Sequence, residues 1–337
     1  MRLGLNLSAL DPSPSTLLSL ARRAEELGYD SVWTAEGYGT DAVVPLSWVG
    51  AQTERIGLGT AIMQIPARTP ASTAMTATAL DLYSHGRLRL GLGVSGPQVV
   101  EGWHGQPFAR PLERTREYVE IVRAILARDG RVSYRGAHYQ LPYGGQDATG
   151  LGVPLKLNVH PRRPDVPIYL AALGPKNVAL ALEIADGWLP VFLSPQRLDA
   201  LTDVDVLRDR VDEGFDLAAT VNVVVGDDLD ACRDAVRPLL ALYIGGMGAK
   251  GQNYYNSLAC RYGYEAAAAR IQDAYLDGRK HDAAAAVPDA LVDEVALCGP
   301  PDRIRGLLEA WRSSLVTSLL VSSTDLRAVQ VLAELEA

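Results

Sequence analysis

The chain has 337 residues, 48% of them hydrophobic and 21% charged, with a formal net charge of −8. That length and apolar content allow one large core, whereas the acidic balance and the absence of a basic stripe among the 32 Lys and Arg residues exclude a protein that grips nucleic-acid backbones. No stretch reaches the roughly 20 uninterrupted apolar residues of a membrane span, the first residues read as a strand and not as a cleavable signal, and Cys232, Cys260 and Cys298 lack metal or redox spacing. A cytoplasmic protein without a metal centre is expected.

Strand and helix signals alternate from the start. Residues 2–8 read as a strand, and 14–27 as a helix with apolar Leu17, Leu18, Ala21, Ala24 and Leu27, ended by Gly28. A second strand is expected at 31–34, a short helix at 45–53, a third strand at 56–61, a helix at 70–83 and a fourth strand at 88–94. After a helix at 110–128, residues 129–165 break the pattern with a hairpin near 132–139, read as an excursion over the active face. Strands resume at 167–172, 187–190, 217–225 and 315–321, with a helix at 177–185. Residues 229–304 read as one long helical region, so 245–290 is a second insertion serving as a cap or dimer surface. Eight strands with helical crossovers predict an α/β fold, a single-domain (β/α)8 TIM barrel with insertion segments, in preference to an open doubly wound sheet.

In such a barrel the chemistry sits at the carboxyl ends of the strands. Gly91, Gly93 and Gly96 have G-x-G-x-x-G spacing after a strand, but no long helix opens directly behind them, so a dinucleotide fingerprint is not made. Val94, Ser95 and Gly96 either offer backbone N–H groups to a phosphate or carboxylate, or form a turn whose glycines serve geometry alone. Ala172, Leu173, Gly174 and Pro175 end another strand and start a helix, whose N-terminus presents positive dipole to a phosphate, and the adjacent Lys176 reads as solvated. Ala61 and Ile62 are ordinary core, or backbone on which a planar ring rests. Glu36, just past the second strand, is a proton-delivering carboxyl or a hydrogen-bond acceptor for a cofactor ring, and Asp41 and Glu101 are the other acids of that half. His104 is a candidate catalytic group or a loop stabiliser. With no Ser-His-Asp order and no metal-ligand spacing, hydrolysis and metal catalysis are demoted.

Taken together, Trp-Thr-Ala-Glu at 33–36, Thr-Glu-Arg-Ile-Gly-Leu-Gly-Thr at 53–60, Arg-Thr-Pro at 68–70, Ser-His-Gly-Arg at 84–87 running into the glycine strand, Ala-Ala-Leu-Gly-Pro at 171–175 and Ala-Asp-Gly-Trp at 185–188 resemble the bacterial luciferase-like superfamily. Within it they are similar to the coenzyme F420 (deazaflavin) dependent oxidoreductases that include methylenetetrahydromethanopterin reductase. The resemblance implies F420 at the barrel mouth, hydride transfer between its ring and an unsaturated or carbonyl-type small molecule, and a homodimer. It also implies a non-proline cis peptide at Ala61-Ile62 behind the ring, and phosphate contacts at Val94, Ser95 and Gly96 and at Ala172 to Pro175. The family's sugar-phosphate dehydrogenases carry an Asp-His pair after the second strand, where this chain has Glu36-Gly37, and only four lysines are present to clamp a phosphate. The same mouth accommodates FMN, which makes an FMN-dependent two-component monooxygenase the alternative, and a ligand-binding barrel without turnover the third reading.

Overall fold

The structure, a computed structural model, describes residues 1–7 and 13–336, and the expected strand end at Ser8 lies outside them. In chain order the elements are β1 (Arg2–Asn6), α1 (Pro14–Glu26), β2 (Ser31–Thr34), α2 (Val43–Gly50), β3 (Gly57–Thr60), β4 (Met63–Gln64), α3 (Pro70–Tyr83), β5 (Leu88–Gly93), α4 (Pro97–Gly102), α5 (Pro111–Ala127), β6 (Tyr134–Arg135), β7 (Gln140–Leu141), β8 (Ile168–Leu170), α6 (Pro175–Ile184), β9 (Gly187–Trp188), α7 (Val204–Asp212) and β10 (Asp216–Val225). There follow α8 (Leu229–Ala241), a π-helical turn (Leu242–Gly246), α9 (Tyr254–Arg261), α10 (Glu265–Leu276), α11 (Lys280–Ala285), α12 (Asp289–Val295), β11 (Ala296–Gly299), α13 (Pro301–Arg312), β12 (Ser318–Ser322) and α14 (Leu326–Glu336).

Parallel ladders run β1-β2-β3-β5-β8-β9-β10-β12, and β12 pairs again with β1, so the sheet closes as a (β/α)8 barrel. Apolar side chains fill both sides of the strands. One core lies between the strands and the helical layer. A smaller one, built from Trp33, Tyr169, Leu189, Ala218 and Leu320, plugs the barrel interior. Trp33 fits there because Gly59 has no side chain: a Cβ would lie 2.1 Å from the indole.

Polar groups at the opposite, amino ends of the strands tie the barrel shut. The Asp216 carboxylate accepts from Tyr169 Oη (2.9 Å), Thr317 Oγ1 (2.6 Å) and Ser318 Oγ (2.8 Å) and pairs with Arg2 at 2.9 Å. Arg89 pairs with Asp30 beside them. Charge balance there serves stability, since that face of a barrel carries no chemistry.

Three expectations are corrected. Residues 296–299, read as helical, form β11, a ninth strand that pairs with the outer half of β10 and stands outside the closed ring. The short helix begins at Val43, two residues before the expected Pro45, because Asp41 Oδ1 accepts from Val43 N (2.7 Å) and Val44 N (2.8 Å) and so satisfies its free N–H groups. The excursion after α5 does not arch over the strand tips. Its hairpin β6–β7 packs against α5, where buried Glu117 accepts from the N–H groups of Ala137, His138 and Tyr139 at 2.6, 2.9 and 3.0 Å. Arg163 then returns it to Asp81 at the end of α3 and to the carbonyl of Leu88 at the start of β5. Three N–H bonds to a buried carboxylate, at about 1.5–3 kcal/mol each, hold the hairpin on α5.

Candidate active site

The register of the third barrel strand places the site. Leu58 faces Leu88 and Met63 faces Leu92, so five steps on β3–β4 match four on β5, and the surplus residue is a bulge at Ala61-Ile62. The peptide joining Ala61 and Ile62 is cis. Ala61 N donates to Thr34 O (2.7 Å) and Ile62 O accepts from Glu36 N (3.1 Å), which anchors the bulge to β2 and the loop behind it. On its other side Thr60 Oγ1 donates to Gly91 O (2.8 Å) and accepts from Gly91 N (2.9 Å). Gly91 and Gly93 make this approach possible: a Cβ on Gly91 would lie 1.8 Å from Thr60 O, and one on Gly93 would lie 2.9 Å from Ile62 Cδ1. Ala61, Ile62 and Ala171 thus cap the interior plug as a small, apolar floor.

Beside the floor lies a charged network. Glu36 Oε1 accepts from Gln64 N (2.7 Å) and from Arg68, and Oε2 accepts from Ala42 N (3.2 Å). Arg68 also pairs with Asp41. Burial disfavours the Arg68 charge, but the two carboxylates more than offset it and hold the guanidinium pKa above its ordinary value. Gln64 carries the network on: its Nε2 donates to Gly37 O (2.7 Å) and its Oε1 lies 3.3 Å from His104 Nε2.

Two neighbouring strand tips end alike. Beyond β5, Ser95 adopts a left-handed φ of 60° and Gly96-Pro97 starts α4. Beyond β8, Gly174-Pro175 starts α6, and Trp188 Nε1 holds the Ala172 carbonyl at 2.9 Å. The N–H groups of Ser95, Gly96, Leu173 and Gly174 meet no acceptor among the described residues. Because β5 and β8 are paired, these open donors face one region at the mouth, a setting suited to an anion. An open groove of about 690 Å³ between α1 and α14 lies instead on the outer helical layer and involves no strand tip.

A family model described as luciferase-like monooxygenase matches residues 2–318. The chain belongs to the luciferase-like family. It is 45% identical to Rv3520c of Mycobacterium tuberculosis, named for coenzyme F420-dependent oxidoreduction, over 99% of each chain. It is 27% identical to the 5,10-methylenetetrahydromethanopterin reductase of Archaeoglobus fulgidus over 92% of this chain and 91% of that one. In fold it is similar to the coenzyme F420-dependent tetrahydromethanopterin reductase of Methanopyrus kandleri, with a TM-score of 0.81, 23% identity, and coverage of 99% and 97% of the two chains.

In this luciferase-like enzyme the residues expected from sequence meet in two groups. Glu36, Asp41, Ala61, Ile62 and His104 are joined through the bulge and the network, and Val94, Ser95 and Gly96 stand beside Ala172, Leu173, Gly174 and Pro175 at the paired tips. Glu101 lies apart, its carboxylate accepting, among the described residues, from Phe108 N alone at 3.3 Å. Sequence reasoning passed over Gln64, the second residue of the two-residue β4, which is buried and links Glu36 to His104. It quoted Arg68 in a motif without giving it a partner. An arginine two residues before a helix-starting proline, within reach of two acids, was the available signal.

Proposed function

We propose that this enzyme is an oxidoreductase dependent on coenzyme F420, exchanging a hydride between the deazaflavin and a small organic substrate. The observation that carries the reading is the identity of 45% with Rv3520c along 99% of each chain. The floor fits the group: Thr60 and Ile62 occupy the space that side chains on Gly91 and Gly93 would need, which leaves Ala61, Ile62 and Ala171 as a flat platform for a ring. When bound, the cofactor supplies the carbon that takes or gives the hydride.

The chain's own residues supply position. Ala61 and Ile62 back the ring. Val94, Ser95 and Gly96, with Ala172, Leu173 and Gly174, offer main-chain groups to the phosphate, while Pro175, which has no N–H, fixes the start of α6. Both oxygens of Glu36 are engaged by Ala42, Gln64 and Arg68, so its part is to hold the floor in place, and His104 is the group left to carry a proton.

The enzyme works as a cytoplasmic homodimer in this reading, and α2 and α3 supply the interface in place of 245–290. They present Val44, Trp48, Met75, Leu82 and Tyr83 to solvent, and their one residue charged at neutral pH, Asp81, is buried against Arg163. A face without charge suits a second copy of itself. The exposed apolar area is on the order of 600 Å², near the roughly 800 Å² per partner of a stable interface.

Titration of the apoprotein with F420, followed by deazaflavin fluorescence, tests the assignment. Saturable binding in the low micromolar range, with no oxygen consumption when reduced FMN is supplied, is expected. Lack of binding at tens of micromolar, or rapid oxygen uptake with reduced FMN, would replace this reading with the FMN-dependent monooxygenase.

A further inference from the structure

Past β9, the strand next to β8, stands a group of aromatic side chains that nothing so far uses. Phe192 lies just past the tip of β9, with a left-handed φ of 53° that turns the chain sharply there. Tyr243 sits in the π-helical turn after α8, and Tyr255 in the first turn of α9. The three rings meet edge to face, with centroids 5.1 Å apart for Phe192 and Tyr243, 6.1 Å for Phe192 and Tyr255, and 4.7 Å for Tyr243 and Tyr255. Tyr38, past the tip of β2, is close enough to Tyr243 for the two phenols to interact electrostatically. β2 and β9 are four strands apart in a ring of eight, so Tyr38 and Phe192 follow strands on opposite sides of the barrel.

These rings are fixed, and their polar atoms are spare. Asn253, buried, donates through Nδ2 to the carbonyls of Tyr243 (2.9 Å) and Ile244 (3.0 Å) and accepts at Oδ1 from the N–H groups of Tyr255 (2.9 Å) and Asn256 (3.1 Å). One side chain thereby locks both tyrosine backbones. Tyr262 Oη donates to Phe192 O at 3.3 Å. The Tyr243 and Tyr255 hydroxyls have no hydrogen-bond partner among the described residues, although both side chains keep some contact with solvent. Desolvation pushes both phenol pKa values up, Tyr38 and Tyr243 respectively adding to it, so the hydroxyls are neutral donors. A recessed donor that no protein group accepts from is available to a ligand.

Charge around the recess is already spent. Arg68 is matched by Glu36 and Asp41, and Glu294 by Arg197, while Ser194 and Tyr264 also donate to Glu294. A charged substrate seated against the three rings, away from the open N–H groups of the paired tips, would have no counter-charge and would lose its hydration.

We propose that Phe192, Tyr243 and Tyr255, with Tyr38 at the rim, form the substrate site of this enzyme and select an uncharged, ring-bearing carbonyl compound, whose oxygen accepts a hydrogen bond from Tyr243 or Tyr255. This rests on the oxidoreductase reading for what then happens to the compound, but binding itself does not require the cofactor. The test is therefore run on the full chain with and without F420, by ligand-detected NMR titration with benzaldehyde and its charged twin benzoate.

Benzaldehyde is expected to bind at least tenfold more tightly than benzoate in both forms. Tyr243→Phe and Tyr255→Phe, which keep the rings and remove only hydroxyls unused by the protein, weaken benzaldehyde about fivefold in at least one case, and Phe192→Leu weakens it similarly. F420 affinity stays at the wild-type value in all three. Benzoate binding as tightly as benzaldehyde, or benzaldehyde affinity unmoved in all three variants, overturns the proposal. If F420 fails to bind while benzaldehyde follows the expected order, the recess stands and the cofactor assignment falls.

Discussion

Gly91→Ala is the sharpest perturbation of the floor. The added Cβ would lie 1.8 Å from Thr60 O and 2.8 Å from Leu189 Cδ1. Carbon–oxygen contacts do not survive much below about 3 Å, so the Thr60 carbonyl has to retreat by roughly an ångström, and it belongs to the backbone that carries the bulge. Overpacking of a tight core costs about 1–3 kcal/mol. The same movement breaks both bonds between Thr60 Oγ1 and the Gly91 backbone, at about 1 kcal/mol each. Together these give a loss of about 3–5 kcal/mol. With an unfolding entropy near 2.1 cal/mol/K per residue, 337 residues convert that to a Tm lower by about 4–7 °C. Gly130→Ala, in the turn after α5, is the matched control, because its Cβ meets nothing within 4 Å. Calorimetry gives the Tm and F420 fluorescence the affinity. A Gly91→Ala protein that melts within a degree of wild type and binds F420 equally well would refute the idea that main-chain approach builds the floor.

Glu36→Gln keeps the shape of the network but leaves Arg68 with Asp41 alone, at a cost of about 2–3 kcal/mol for a partly buried pair; F420 affinity is expected to drop while the pH–rate profile keeps its form, and loss of one limb of that profile would make Glu36 the proton donor after all. Acid sensitivity follows from Asp30. Burial pushes its carboxyl up, but the hydrogen bond and charge of Arg89, with Arg2 behind, bring it below the ordinary carboxylate value. A depressed carboxylate stabilises the fold above its unfolded pKa, and that contribution disappears as pH falls through the folded value. The stability gap between wild type and Asp30→Asn in urea unfolding is thus expected to be widest near neutrality and to close below about pH 4; a gap that is the same at pH 7 and in acid would contradict the assignment. Met75→Glu, placing charge in the apolar face of α3, is expected to convert a dimer to a monomer in light scattering without lowering F420 affinity, and a wild-type protein that is already monomeric would remove that interface.

The barrel was legible because its signals are local. The helix at 70–83 is bounded by Thr69, whose side chain accepts from Ser72 N, and by the turn at Ser84, and the structure places it at the same residues. The strand at 296–299 was not legible for the opposite reason. Ala-Leu-Cys-Gly is too short to show a period of its own, follows directly on α12, and becomes a strand only because the far half of β10 leaves an edge to pair with. The hairpin after α5 was read correctly as a hairpin and placed wrongly, since its position depends on Glu117, a carboxylate whose burial no local pattern announces.

For the site the division is physical in the same way. Ala61, Ile62, Gly91 and Gly93 were visible as small or apolar residues at strand tips, but the reason for them is a close approach of two backbones, and spacing along one strand cannot show what stands on the next. The Glu36, Arg68 and Asp41 network spans strand, loop and helix, and the aromatic group spans residues 38 to 255, so the chemistry of each depends on closure of the barrel. That division predicts where change is tolerated. The floor is made of main chain packed against main chain and accepts almost no substitution, whereas the aromatic wall is made of side chains, its two tyrosines held by a single buried asparagine, and can be rebuilt one ring at a time. A barrel organised in this way keeps its cofactor while its substrate changes. Variation at Phe192, Tyr243 and Tyr255 is accordingly expected to shift which compound is taken, and variation at Gly91 to abolish turnover of all of them.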